Sequence, residues 1–168
     1  YKVYIIDSLI NSSIHVIDLI EKICSKSSNF SKGNLKFFKG DICDERCLER
    51  IFLFAKKENR PIQSVIHFAG LKSVKDSTID PIRYWEVNVS GSINLLNVMR
   101  KYGCNTIVFS SSATIYGSSK YMYIPENSKI KPVNPYGNTK SIIEKLLSDT
   151  FHNLPNWKIA SLRYFNPI

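Results

Sequence analysis

Ser64-Val65-Ile66-His67-Phe68-Ala69-Gly70, then a helix-like stretch from Pro81 to Gly103, then Thr106-Ile107-Val108-Phe109-Ser110: these residues decide the fold. The two outer runs are short and apolar, as a strand buried on both faces is. Between them Val87, Leu95, Val98 and Met99 form the inward side of a predicted long helix. Pro81 suits the first position of that helix, and Gly103 marks its end. Strand, crossover helix and strand of these lengths make a parallel βαβ unit.

The alternation continues in both directions. Upstream, Lys2 to Ile6 reads as a strand ending at Asp7, and Ile14, Ile17, Ile20, Ile23 and Cys24 follow at helical spacing. Leu35 to Lys39 is the next strand. Asp44 is placed to cap a helix whose inward stripe is Leu48, Ile51, Phe52 and Ala55, and Pro61 breaks it. Downstream, Pro135 precedes a helix with Ile142, Ile143, Leu146, Leu147 and Phe151, and Ile159 to Tyr164 is a last strand. The expected fold is α/β, a doubly wound parallel sheet with helices on both faces, in one domain spanning residues 1–168.

Composition sets broad limits. Of 168 residues, 43% are hydrophobic and 22% charged, the balance of an ordinary globular protein. No run approaches the roughly 18 apolar residues of a membrane helix, so no membrane partner is expected. The net charge is +9, but Lys and Arg are spread along the chain and interleaved with acids. Without a basic block or basic–aromatic interleaving, that charge reads as a solvated surface rather than a nucleic-acid site. Cys24, Cys43, Cys47 and Cys104 form no C-x-x-C pair and have no His at ligand spacing. They read as structural thiols of a reducing cytoplasm, with no metal site.

In such a sheet, ligands collect at the carboxyl ends of the strands. Asp7 stands at one of them. It reads either as a helix cap or as a carboxylate accepting hydrogen bonds from the two hydroxyls of an adenosine ribose. Asp41-Ile42 and Phe68-Ala69-Gly70-Leu71-Lys72 stand at the next two. The small residues Ala69 and Gly70 either make a tight turn or let a flat or phosphorylated ligand approach the backbone. The fourth strand runs into Ser110-Ser111-Ser112-Ala113-Thr114-Ile115-Tyr116-Gly117, taken alone a polar loop. Further on, Tyr136-Gly137-Asn138-Thr139-Lys140 puts Tyr136 and Lys140 on one helix face. A free phenol has a pKa near 10, and a neighbouring ammonium favours the phenolate. Tyr136 would then serve as a general base toward a hydroxyl, with Ser112 holding the same oxygen. The plain alternative is a tyrosine covering the core beside a solvated lysine.

Ser112, Tyr136 and Lys140 on an alternating β/α chain resemble the extended short-chain dehydrogenase/reductases. Three segments resemble, within them, the UDP-glucose 4-epimerases: His67 to Val74, Ser110 to Gly117, and Arg163-Tyr164-Phe165-Asn166-Pro167. The resemblance covers essentially the whole chain. It implies a Rossmann-like NAD-binding fold and reversible epimerisation of UDP-glucose and UDP-galactose at C4, with NAD as a bound cofactor. It further implies that Asp7, Asn11 and Ser12 hold the adenosine ribose and that Asp41 and Ile42 flank the adenine. Phe68, Ala69, Gly70, Leu71 and Lys72 would line the dinucleotide, with Lys72 near its phosphates, Asn88 on the cofactor side and Phe165 touching it. Tyr136 would be the catalytic base, Ser112 its partner, and Lys140 its tuner and a holder of the nicotinamide ribose. Lys72, Ser112, Tyr136 and Asn166 would meet the sugar nucleotide. A homodimer is implied through the helices near Asn88 and Tyr136.

The pattern departs from that family in places. Its first strand and glycine-rich G-x-x-G-x-x-G turn are not in the sequence, nor is its C-terminal sugar-nucleotide domain, so both ends read as cut through structure. The missing strand would lie between those ending at Asp7 and Phe68. The segment alone is therefore expected to be inactive and to bind NAD no tighter than millimolar. Ser8 stands where an Asn often follows the ribose-binding Asp. The nearest rival is a nucleotide-sugar 4,6-dehydratase. Those resemble one another in an Asp-Glu pair after the active-site hydroxyl residue, where this chain has Ala113 and Thr114.

Overall fold

The computed structural model describes residues 1–27, 30–31, 33–118 and 123–165. Strands and helices alternate as the apolar pattern predicts: β1 Val3–Asp7, α1 His15–Cys24, β2 Leu35–Lys39, α2 Glu45–Lys57, β3 Val65–His67. After β3 come α3 Val74–Ile79, α4 Pro81–Tyr84, a π-helical stretch Trp85–Ser90 and α5 Gly91–Lys101. The chain then runs through β4 Thr106–Ser112, a 3-10 turn Ala113–Tyr116, α6 Pro135–Asn153 and β5 Lys158–Tyr164. All ladders are parallel.

Side-chain caps fix where several helices start. The Asp44 carboxylate accepts from Cys47 N–H at 3.1 Å, satisfying a first-turn donor of α2. Asn134 does the same for α6, accepting from Gly137 N–H at 2.8 Å with Pro135 in the first turn. Ser73 caps the short α3, which the sequence pattern does not foretell because six residues carry too little periodicity. The predicted long helix from Pro81 is one helical run, but the π-helical stretch interrupts its winding.

The sheet is divided. β1 pairs with β2, and β3–β4–β5 form a second ladder, with no ladder joining β1 to β3 among the described residues. Helices hold the parts together. Leu48 and Phe52 of α2 pack into one core with Leu95, Leu96, Val98 and Met99 of α5, Ile107 and Phe109 of β4, and Ile143 and Leu147 of α6. Asn94 of α5 reinforces the seam, its amide donating to the Cys43 carbonyl at 3.0 Å. All four stripe positions of α2 are buried, whereas α1 buries no residue and leaves Val16, Leu19 and Ile23 exposed, as is Ile14 just before it. Ile142 and Phe151 of α6 are also exposed, so only part of its apolar set faces inward.

β4 runs two residues further than its apolar pattern indicates. Its ladder with β5 continues through Ser110↔Leu162, Ser111↔Arg163 and Ser112↔Tyr164. The serine triplet is therefore strand, not loop. Pairing with a distant strand decides this, which local residue type cannot reveal.

Candidate active site

At the carboxyl end of β4 the 3-10 turn brings Ala113 to Tyr116 against the start of α6. A Cβ on Gly137 would lie 2.9 Å from the Thr114 carbonyl oxygen and 3.0 Å from the Pro132 Cβ. Glycine thus lets the first turn of α6 close onto the turn after Ser112. Ser112 is 9% exposed, and its hydroxyl oxygen accepts from Thr114 N–H at 3.2 Å and from the Thr114 hydroxyl at 3.0 Å. One helical turn separates Tyr136 from Lys140, and both are buried, at 9% and 5% exposure.

Lys140 is a buried cation without a carboxylate among its described partners. Its ammonium donates to the Ser110 carbonyl at 2.8 Å and sits 4.8 Å from the Phe109 ring centroid and 5.9 Å from that of Tyr136. Burial disfavours the charged form and brings its pKa down to about 8. At pH 7 about nine in ten molecules still carry the charge. The tyrosine, the lysine and the strand end bearing Ser112 thus meet in one buried patch, and the lysine is not solvated.

The loop after β3 is tied to this patch by Asn88. Its side-chain oxygen accepts from Leu71 N–H at 2.7 Å, and its amide donates to the Leu71 carbonyl at 3.0 Å and to the Thr139 hydroxyl at 3.1 Å. The Asn88 amide thereby pins the loop carrying Phe68 to Lys72 onto α6, between Tyr136 and Lys140. Gly70, at φ +148, lies under it, where a Cβ would come 2.9 Å from the Asn88 oxygen. Gly70→Ala is accordingly expected to destabilise the protein by about 1–3 kcal/mol, read as a lower urea midpoint at unchanged slope. A midpoint equal to wild type would show that the loop tolerates the methyl group.

The remaining expected positions line the strand ends. Asp7 accepts from Leu9 N–H at 2.7 Å and from the Ser12 hydroxyl at 2.9 Å, so Ser12 and Asp7 form one cluster with exposed Asn11 beside them. Asp41 accepts from Cys43 N–H at 2.8 Å, and Ile42 is buried in the core next to it. Ser8, Ile10, Lys39, Gly40 and Asp41 line a hollow at the ends of β1 and β2. Phe68, Ala69 and Lys72 are exposed at the end of β3, and Phe165 is exposed beyond β5. Asn166 lies outside the described residues. Among the described residues there is no group of three metal-ligating side chains, and no helix is long and apolar enough to cross a membrane.

Sequence reasoning overlooked several buried polar groups. His67 is 4% exposed, and its Nε2 lies 2.9 Å from the Ser92 hydroxyl, which itself donates to the Asn88 carbonyl. Nε2 therefore carries the proton and donates to Ser92. Thr139, fully buried, completes the hold on Asn88. The only local signal was a histidine closing an otherwise apolar run, and in the structure it is the buried residue of β3 while Ile66 is exposed.

Three comparisons place this geometry among known proteins. Residues 1–167 match a family model described as GDP-mannose 4,6 dehydratase. Over 168 residues, all of this chain, it is 41% identical to UDP-glucose 4-epimerase 1 of Oryza sativa subsp. japonica, covering 45% of that protein. It is 42% identical over 167 residues to UDP-glucose 4-epimerase of Yersinia enterocolitica, covering 99% of this chain and 46% of the relative. The crystal structure of UDP-glucose 4-epimerase from Bifidobacterium longum in complex with NAD+ and UDP superposes with a TM-score of 0.88 at 39% identity. That match covers all of this chain and 47% of the other. The chain thus spans less than half the length of these relatives. Their likeness in sequence and fold shows a Rossmann-like α/β architecture, and a family model that runs from Tyr1 to position 167 shows that the chain belongs to the GDP-mannose 4,6-dehydratase family.

Proposed function

We propose that this chain is the dinucleotide-binding part of an NAD-dependent UDP-glucose 4-epimerase, which interconverts UDP-glucose and UDP-galactose through a 4-keto sugar. The observation that carries the proposal is the buried Tyr136–Lys140 pair on one turn of α6, set against the strand end bearing Ser112. Tyr136 takes the proton from the C4 hydroxyl and later returns it. Ser112 holds the same oxygen, and the Lys140 ammonium stands 5.9 Å from the Tyr136 ring centroid as the nearby positive charge. NAD, when bound, accepts a hydride from C4 and gives it back to the opposite face, so no reducing equivalent is consumed. Asp7 with Ser12 fits the adenosine ribose, Asp41 and Ile42 fit the adenine edge, and the glycine-permitted approach at Gly70 fits a dinucleotide crossing the strand ends.

The family model is named for a dehydratase, but the residues after Ser112 favour the epimerase. Elimination across C5–C6 needs an additional acid and base. Ala113 has neither, and the Thr114 hydroxyl is spent on Ser112. The test is the complete protein incubated with UDP-galactose. Formation of UDP-glucose without accumulating NADH absorbance supports the reading, and a 4-keto-6-deoxy product would replace it by the dehydratase.

The same proposal covers architecture and setting. The gap between β1 and β3 is the place for the family's glycine-rich strand and turn, and the absence of a ladder there supports this. The chain is then one NAD-binding domain, and the sugar-nucleotide domain lies elsewhere in the protein. The four free cysteines support a cytoplasmic setting. A homodimer is supported by the exposed apolar side chains Ile82, Trp85 and Ile93 along the helices around Asn88, and by Ile142 on α6. Ile93→Asp is expected to convert the complete protein from dimer to monomer in sedimentation equilibrium. An unchanged mass would place the interface on another face.

A further inference from the structure

Tyr136, Lys140 and Glu144 follow one another at four-residue intervals on α6 and so share a face. The first two belong to the proposed chemistry, and the third does not touch it. Glu144 instead receives Arg163 of β5 in a two-pronged ion pair. Arg163 Nε donates at 3.0 Å to one carboxylate oxygen, and Nη2 donates at 2.7 Å to the other. The carboxylate side chain of this pair is only 10% exposed. The third nitrogen of the guanidinium, Nη1, donates to the Tyr116 hydroxyl at 2.7 Å and to the Glu126 carbonyl at 2.8 Å. The guanidinium carbon also lies 5.2 Å from the centroid of the Tyr116 ring.

Those contacts converge from separate elements. Tyr116 ends the 3-10 turn that starts directly after Ser112. Glu144 lies one turn beyond Lys140 and two beyond Tyr136. Arg163 stands opposite Ser111 in the β4–β5 ladder, one residue from Ser112. A planar cation with fixed donor directions can span three acceptors at once, and a lysine ammonium cannot reproduce that fork. The distance between Ser112 and Tyr136 is set by how the turn after β4 sits on α6, and Arg163 bonds to both sides of that contact.

We infer that Arg163 is a positioning residue, which sets the tyrosine of α6 against the serine at the end of β4 by joining Glu144, Tyr116 and Glu126. The inference rests on the epimerase reading for its kinetic readout, but not for its second readout. Arg163 itself touches neither substrate nor proton. It acts by removing slack between two elements, and small misplacements of a general base lower the rate of the chemical step more than they weaken binding.

Two variants of the complete protein test this. Arg163→Lys keeps a positive charge beside Glu144 but loses the fork, and Tyr116→Phe removes only the hydroxyl. Each is expected to lower kcat about 10-fold or more while KM for UDP-galactose and NAD content stay within about twofold. The second readout is the crystal structure of each variant, in which the separation of the Ser112 and Tyr136 hydroxyls is expected to differ from that of the wild type by about 0.5 Å or more. A kcat within twofold of wild type in both variants, or an unchanged hydroxyl separation, overturns the inference. So does a loss of kcat/KM carried by KM alone, which would make Arg163 a binding residue. If the parent protein proves not to epimerise, the epimerase reading falls by itself, and the hydroxyl separation alone decides for or against positioning.

Discussion

Lys140→Met is expected to make the complete protein more stable and to abolish its turnover. The lysine pays a desolvation cost that brings its pKa from 10.5 to about 8. Each unit of such a shift corresponds to about 1.4 kcal/mol, so the buried charge destabilises the fold by on the order of 3 kcal/mol at neutral pH. Methionine keeps the apolar stem against Phe109 but leaves the Ser110 carbonyl without its donor, which returns on the order of 1–2 kcal/mol. The net expected gain is about 1–2 kcal/mol in urea unfolding at pH 7. The pH dependence gives the sign independently. Between about pH 8 and 10.5 the unfolded chain holds a proton that the folded chain has released, so wild-type stability rises with pH across that window. The variant lacks this rise. Turnover is expected to fall about 1,000-fold or more, because the site loses the cation held beside the Tyr136 ring. A variant that is less stable at pH 7 than wild type would show that the lysine is a net structural asset, contrary to this account.

The second large effect is acid lability centred on His67. Burial chiefly, and the charge of Lys140 secondarily, lower its pKa from 6.5 to about 3. In the unfolded chain the ring takes up a proton below 6.5, and in the folded chain it does not until about 3. The contribution is therefore complete above pH 6.5 and is lost progressively as the pH falls toward 3. Over that window it amounts to on the order of 4 kcal/mol, a large part of a domain's total stability. Carboxylates titrate in the same range, so the informative quantity is a difference. His67→Asn keeps a donor for Ser92 and removes the titrating ring. Its stability is expected to fall much less steeply than that of wild type between pH 6.5 and 4. Parallel curves for the two proteins would mean that His67 is free to protonate in the fold.

Much of the architecture was legible because it is written locally. Asp44 with its following apolar stripe, Pro135 at the start of α6, and the Leu35–Lys39 run each carry their own boundary signal, and each appears where that signal puts it. Tyr136 and Lys140 could be placed on a shared face from spacing alone. What could not be read is what depends on partners far away in sequence. The serine triplet is strand because β5 extends beside it as far as Tyr164. Asn88 is occupied by Leu71 and Thr139, and the fork of Arg163 needs Tyr116, Glu126 and Glu144 at once. Polar side chains of this sort look solvated in a sequence and turn out to be the struts of the site.

The π-helical winding at Trp85–Ser90 makes this segment more tolerant of a lost residue than the regular turns that follow it. A π-turn holds one residue more than an α-turn, so excising one amino acid there lets the chain coil as ordinary α-helix while the turns on either side keep their facing. The same excision within Gly91–Lys101 has no such slack and turns everything before it by about 100° against everything after it. Leu95, Val98 and Met99, all buried, would then lose their common alignment with Asn88, a lesion that a codon deletion in the π-helical stretch does not produce.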